Sequence, residues 1–143
     1  MQFNWKDYFD LANSIIDESF LKSSPHLKEA IYRNYISRSY YYIYNKSLNV
    51  AQKLGYKIET SDKSSHKSLQ LFFKSIKDRN NSEDFELETL IDILIKLSEN
   101  RKKADYDNVF KISDNLIKTT KNNVNDAESI LDKIEQYINK EVS

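Results

Sequence analysis

The segment with the most chemistry in this chain is Arg101-Lys102-Lys103-Ala104-Asp105-Tyr106. Leu87, Leu90, Leu94, Leu97, Arg101 and Ala104 recur at helical spacing, which aims the arginine at the core. Asp105 lies one turn later and shares that face. A buried guanidinium is costly unless a carboxylate compensates it. Two roles follow. One is a structural clamp between two helices, in which Asp105 holds Arg101 and Arg38 reaches the same carboxylate. The other is a cationic pocket for a phosphate, because the planar fork of an arginine matches phosphate oxygens.

A second group is Ser64-Ser65-His66-Lys67-Ser68. His66 falls beside an expected helix start. It is either a surface histidine near the cap or a general acid/base, since imidazole titrates near neutral pH. Lys67 adds positive charge where a helix N-terminus already favours anions. His26 has no comparable neighbours and reads as surface.

The third group is Ile31 to Tyr44, which holds six tyrosines and two arginines in fourteen residues. Tyrosines of this kind, Tyr42 among them, fill helix interfaces with the hydroxyl at the edge. The alternative use is a stacking platform for bases. Ile36, Tyr40, Ile43, Ser47, Val50 and Leu54 step by four and three along one face, and Ser37, Tyr41, Tyr44, Leu48 and Ala51 along the next, which together predict a wide buried arc. Arg33 falls near the middle of that arc and reads as a side chain that snorkels near the helix start.

These groups need helices to position them. The chain has 143 residues, one glycine and one proline, a composition that favours long helices joined by polar loops in a single domain over residues 1–143. Residues 3 to 22 read as a first helix with Asn4 at its start. Ser24 caps a second helix that opens at Pro25, runs about 45 Å and stops at Gly55. Ser64 or Ser65 caps a third. Ser82, with Glu83, Asp84 and Glu86, starts a fourth that runs to about Asp105. Residues 107 to 121 read as a short helix or an ordered loop, and the last helix as residues 123 to 141. The expected fold is an all-α bundle of five to six helices, mostly antiparallel.

Composition also narrows the function. Charge is balanced, with 22 basic and 22 acidic residues, so nucleic-acid binding would need a local patch. There is no cysteine, and two histidines cannot form a structural zinc centre by themselves. No metal or cofactor is expected. No apolar run approaches the ~20 residues of a membrane span, and no secretory leader is seen. A cytoplasmic protein is expected. Glycine-rich phosphate loops, His-Glu-x-x-His and Gly-x-Ser-x-Gly motifs are absent from the sequence.

Three segments together resemble the small stand-alone HEPN proteins (higher eukaryotes and prokaryotes nucleotide-binding). Arg38-Ser39-Tyr40-Tyr41-Tyr42-Ile43-Tyr44 is similar to their Ser-Arg-x-Tyr-Tyr-x-x-Phe segment. Ser65-His66-Lys67, followed by Leu69 and Phe72-Phe73, resembles their histidine segment. Arg101 to Tyr106 resembles the Arg-x-x-Ala-Asp-Tyr signature of one branch. The likeness spans roughly residues 5 to 140.

The resemblance implies a helical bundle, often a homodimer, that associates with RNA or a nucleotide. Many such proteins are metal-independent ribonucleases of toxin–antitoxin or phage-defence systems, with an antitoxin or effector as protein partner. Their signature is an arginine followed about a helical turn later by a histidine, and cleavage uses the RNA's own 2′-hydroxyl. Here no histidine follows Arg101; Asp105 and Tyr106 occupy that stretch. The residues expected around a catalytic site are therefore Arg101, His66 and Tyr106, with Arg38, Lys67 and Tyr42 binding substrate. The rival expectations are an inert interaction or dimerisation module, in which the same residues are a clamp, and a helper to a nucleotidyltransferase.

Overall fold

The structure, a computed structural model, describes residues 3–16, 18–58, 65–80 and 85–142. Among them all regular structure is helical: α1 (Trp5–Ile15), α2 (Glu18–Ser23), a 3-10 turn (Pro25–Leu27), α3 (Lys28–Lys53), α4 (Ser65–Asn80), α5 (Phe85–Tyr106) and α6 (Asp114–Val142). This is the expected all-α bundle. No helix among the described residues is long and apolar enough to cross a membrane.

Helix α3 is the hub, packing on α1, α4, α5 and α6. Its buried side is wider than one stripe because it has neighbours on most sides. Ile36, Tyr40, Ile43, Ser47 and Val50 are buried as their spacing requires, and so are Tyr32, Tyr35, Ser39 and Tyr42. The helix ends where the glycine directs. Gly55 takes φ 102°, its N–H bonds to the Gln52 carbonyl at 3.1 Å, and the Tyr56 N–H bonds to the Ala51 carbonyl at 2.9 Å. That pair is a Schellman cap, and the left-handed residue in it suits glycine.

Two apolar clusters result. One gathers Tyr40, Ile43 and Val50 of α3 with Leu69 and Phe73 of α4, Leu90, Leu94 and Leu97 of α5, and Val124, Ala127 and Leu131 of α6. The other joins Ala12 and Ile16 to Ile31, Tyr35 and Ile36, and to Ala104, Ile112 and Ile117.

Several expected boundaries differ. The expected first helix is two, with α1 ending at Ile15 and α2 starting at Glu18. Asn4 does cap α1, its side-chain oxygen accepting from the Lys6 N–H at 3.0 Å. Ser24 makes no side-chain cap, and Pro25 opens a 3-10 turn rather than α3, which begins at Lys28. The ambiguous stretch and the last helix form one element, α6, from Asp114 onward. Ser113 supplies its N-terminal cap, Oγ accepting from the Leu116 N–H at 3.1 Å. Val109 is 88% exposed, while Ile112 is buried. The expected roles of Ser64, Ser82, Glu83 and Asp84 fall outside the described residues.

Candidate functional site

The leucine seam delivers Arg101 to the interior as its spacing requires. The residue is 6% exposed, and its seam-mates Leu87, Leu90, Leu94, Leu97 and Ala104 are buried with it. Its surroundings are aromatic. The guanidinium carbon lies 5.5 Å from the ring centres of Tyr40 and Tyr41 and 5.9 Å from that of Tyr106. The electron-rich faces of such rings attract a cation. Nη1 stands 3.6 Å from Asp105 Oδ2, an ion pair too long for a hydrogen bond. The buried Nε has no hydrogen-bond partner. Asp105 also accepts a 3.4 Å hydrogen bond from Ser37 Oγ. Arg101 is therefore held by charge and rings, with donor capacity unspent.

His66 reaches the same place from α4. Its Nδ1 is hydrogen-bonded to the Tyr40 hydroxyl, and its ring centre lies 5.3 Å from that of Tyr40 and 4.5 Å from that of Tyr44. Burial, then the charges of Arg101 and Lys102, push its pKa below the ordinary 6.5. The imidazole is consequently neutral at pH 7. The Tyr40 hydroxyl is pushed upward, chiefly by burial, so it stays protonated. Two tautomers fit the bond between them. With the proton on Nδ1 and donated to the Tyr40 oxygen, Nε2 carries the free lone pair.

Tyr40 is thus the common floor where α3, α4 and α5 meet. Tyr106, at the end of α5, is the member of the cage left mostly in solvent, 76% exposed. The expected trio of Arg101, His66 and Tyr106 is brought together around the tyrosines of α3. The other expected residues fall differently. Arg38 lies over Tyr8 of α1, its guanidinium carbon 4.5 Å from the ring centre, rather than on Asp105. In the clamp, Ser37 takes the place expected of Arg38. Tyr42 faces α6, donating to Glu128 Oε2 at 2.6 Å and stacking on Phe9 with ring centres 5.2 Å apart. Lys67 stays exposed beside His66.

Arg33 is more than a snorkelling side chain. Its Nε bonds to Glu29 at 3.0 Å, and its Nη1 donates to the carbonyls of Ala104 at 2.8 Å and Lys103 at 3.3 Å. Nη2 donates to the carbonyl of Phe110. A cation from α3 thus satisfies the Ala104 carbonyl, shares the Lys103 carbonyl with the Asp107 N–H, and sits at the negative end of the α5 dipole. The turn beyond is closed by Asp107, whose Oδ1 accepts from the N–H groups of Val109 and Phe110 at 3.0 and 3.1 Å. These bonds fix the helix end that carries Asp105 and Tyr106.

Sequence spacing does not single out Tyr40 and Tyr41 as the wall of the site, or Trp5, whose ring stacks on Tyr41 at 6.2 Å. The tyrosine density of α3 is the one signal that points to the first two. Among the described residues no group of three or more histidine, cysteine, aspartate or glutamate side chains is placed to hold a metal ion. The chain matches no known protein-family model, no curated protein and no solved structure.

Proposed function

We propose that this chain is an HEPN-like, RNA-associated protein of a phage-defence or toxin–antitoxin system, and that Arg101 and His66 form a metal-independent endoribonuclease site. The observation that carries the proposal is their convergence on the Tyr40 ring from separate helices. In this reading α4 supplies the imidazole that the related motif carries beside its arginine.

The chemistry needs a base for the ribose and a cation for the phosphate. Neutral His66 takes the proton of the 2′-hydroxyl on Nε2. The 2′-oxygen attacks the adjacent phosphorus and the bond to the 5′-oxygen breaks, giving a 2′,3′-cyclic phosphate and a 5′-hydroxyl end. Arg101 stabilises the charge that grows on the non-bridging oxygens through its unspent donors. The departing 5′-oxygen accepts a hydrogen bond from Tyr106 and takes a proton from water, and the imidazolium of His66 gives its proton to the hydroxide so formed. Because Tyr106 is the exposed wall of the cage, displacement of its ring admits the phosphate.

A second reading rests on the burial of Arg101 and its link through Asp105 to Ser37. There the residues are a clamp between α3 and α5 in an interaction module or a nucleotidyltransferase helper. Cleavage of a pool of labelled RNAs in EDTA by wild type, Arg101→Ala and His66→Ala decides between them. Cleavage by wild type, lost in both variants, is expected. An inactive wild type, or variants that keep its rate, would favour the clamp.

A further inference from the structure

The start of the chain carries a second aromatic group. Phe3 and Tyr8 flank the Asn4 cap as a hydrophobic staple, with ring centres 4.7 Å apart. A staple needs apolar contact but no exposure, yet Phe3 is 49% and Tyr8 39% exposed. Trp5 touches both, at 5.3 and 5.8 Å. Its ring also stacks on Tyr41, a wall of the Arg101 cage. The aromatic surface therefore runs without a break from Arg101 to the N-terminal residues.

Next to Trp5 a cleft of about 350 Å³ opens between the start of α1 and the middle of α3. Its lining includes Phe3, Trp5, Lys6, Asn45, Lys46 and Asn49. The residue types are complementary to a nucleotide. Aromatic rings offer stacking faces. The two amides offer donor and acceptor groups to a base edge, and Asn45 has already turned its Nδ2 to the Tyr41 carbonyl at 2.8 Å, which leaves Oδ1 as the acceptor. Lys6 and Lys46 supply positive charge for a phosphate, although Lys46 is also paired with Asp132 at 2.8 Å.

We propose that this cleft is a subsite for an unpaired RNA base, stacked against Phe3 and Trp5, on a strand that continues over Tyr41 to Arg101. The choice of RNA rests on the ribonuclease reading of the Arg101–His66 site. The consequence is selectivity for single strands, because a paired base has no free edge to present to the cleft and no free face to stack.

Trp5 is the one tryptophan of the chain, so its emission reports directly on the cleft. The ligand is a 2′-O-methyl RNA oligonucleotide, which lacks the attacking hydroxyl and stays intact with wild-type protein. The single strand quenches Trp5 saturably, and a duplex of the same sequence leaves it nearly unchanged. Phe3→Leu, which keeps an apolar group for the staple, weakens single-strand binding by about 5- to 150-fold, the loss of one base stack. Binding of the single strand with silent Trp5 emission, or with equal affinity in Phe3→Leu, overturns the proposal. A Trp5 response to an acidic peptide and none to RNA overturns it in favour of protein docking. Unmodified RNA separates this idea from the one beneath it. Quenching without cleavage leaves the subsite and removes the catalytic reading, whereas cleavage with silent Trp5 emission does the reverse.

Discussion

Replacing Arg101 by methionine separates binding chemistry from structural support. The methionine keeps an unbranched chain in the buried volume and removes the charge. What is lost is attraction to three rings at 5.5 to 5.9 Å, about 0.5 to 1 kcal/mol each. The ion pair with a partly exposed Asp105 adds less than about 1 kcal/mol. What is gained is relief of a buried Nε with no partner, about 1 to 3 kcal/mol. Asp105 keeps its bond from Ser37 and its access to water, so no stranded buried charge is left behind. The sum lies between about 1.5 kcal/mol of stabilisation and about 3 kcal/mol of destabilisation, a melting-temperature change below about 12 °C. RNA cleavage, by contrast, falls about 100- to 1000-fold, the usual effect of removing a donor to transition-state charge. Thermal melting by circular dichroism and single-turnover cleavage read the two effects. A variant destabilised by more than about 4 kcal/mol would show that the arginine is chiefly a clamp. A variant that melts like wild type and cleaves at its rate would refute the catalytic assignment.

Two further expectations concern neighbouring residues. Arg33→Met leaves the carbonyls of Ala104 and Phe110 without their donor, while that of Lys103 keeps the Asp107 N–H, and lowers stability by roughly 2 to 4 kcal/mol; an unchanged denaturant midpoint would show that those bonds contribute nothing net. His66 has a folded pKa below its unfolded one, so as pH falls below about 6.5 the unfolded chain takes the proton first and stability is lost through the window down to the lowered folded value. Melting temperature plotted against pH should be flatter in that window for His66→Gln than for wild type. Cleavage by wild type should hold through that window and fall only as pH reaches the lowered folded pKa, where the base becomes protonated, and a rate that rises toward low pH would count against His66 as the base.

Where one periodic pattern met one kind of neighbour, the sequence was informative. The leucine seam of α5 places Arg101 correctly because its four leucines all meet one core, and Ala104 a turn beyond meets the adjoining one. On α3 the arc is buried from Ile36 through Val50, but Ser37, Tyr41, Tyr44, Leu48 and Leu54 are only half-buried, and because helices pack on several sides Tyr32, Tyr35 and Tyr42 are buried outside it. The start of α6 is obscured by Thr119, Thr120, Asn122 and Asn123, residues of low helix propensity. Tertiary packing overrides them: Thr120 is buried and returns its hydroxyl to the Leu116 carbonyl at 2.7 Å. The signal that was available there is Ser113 followed by Asp114. His66 and Arg101 are each visible as chemistry, yet their meeting depends on how α4 and α5 pack, which no local pattern encodes. The partners of Arg33 are backbone carbonyls, and any residue type supplies those.

Helix α1 packs chiefly on α3. It is short, eleven residues, and Ala12 is its one buried position within the helical span. An isolated helix of that length is not stable in water, so α1 is ordered by its docking. Its detachment opens that one main seam with α3, whereas freeing α5 or α6 opens two or more, which makes α1 a low-energy unit of local unfolding. The wall formed by Trp5 and Tyr8 travels with that unit. Hydrogen exchange in α1 would then report how often the aromatic surface beside Arg101 is assembled, and a strand bound across Trp5 and Tyr41 would slow that exchange by holding the two helices together.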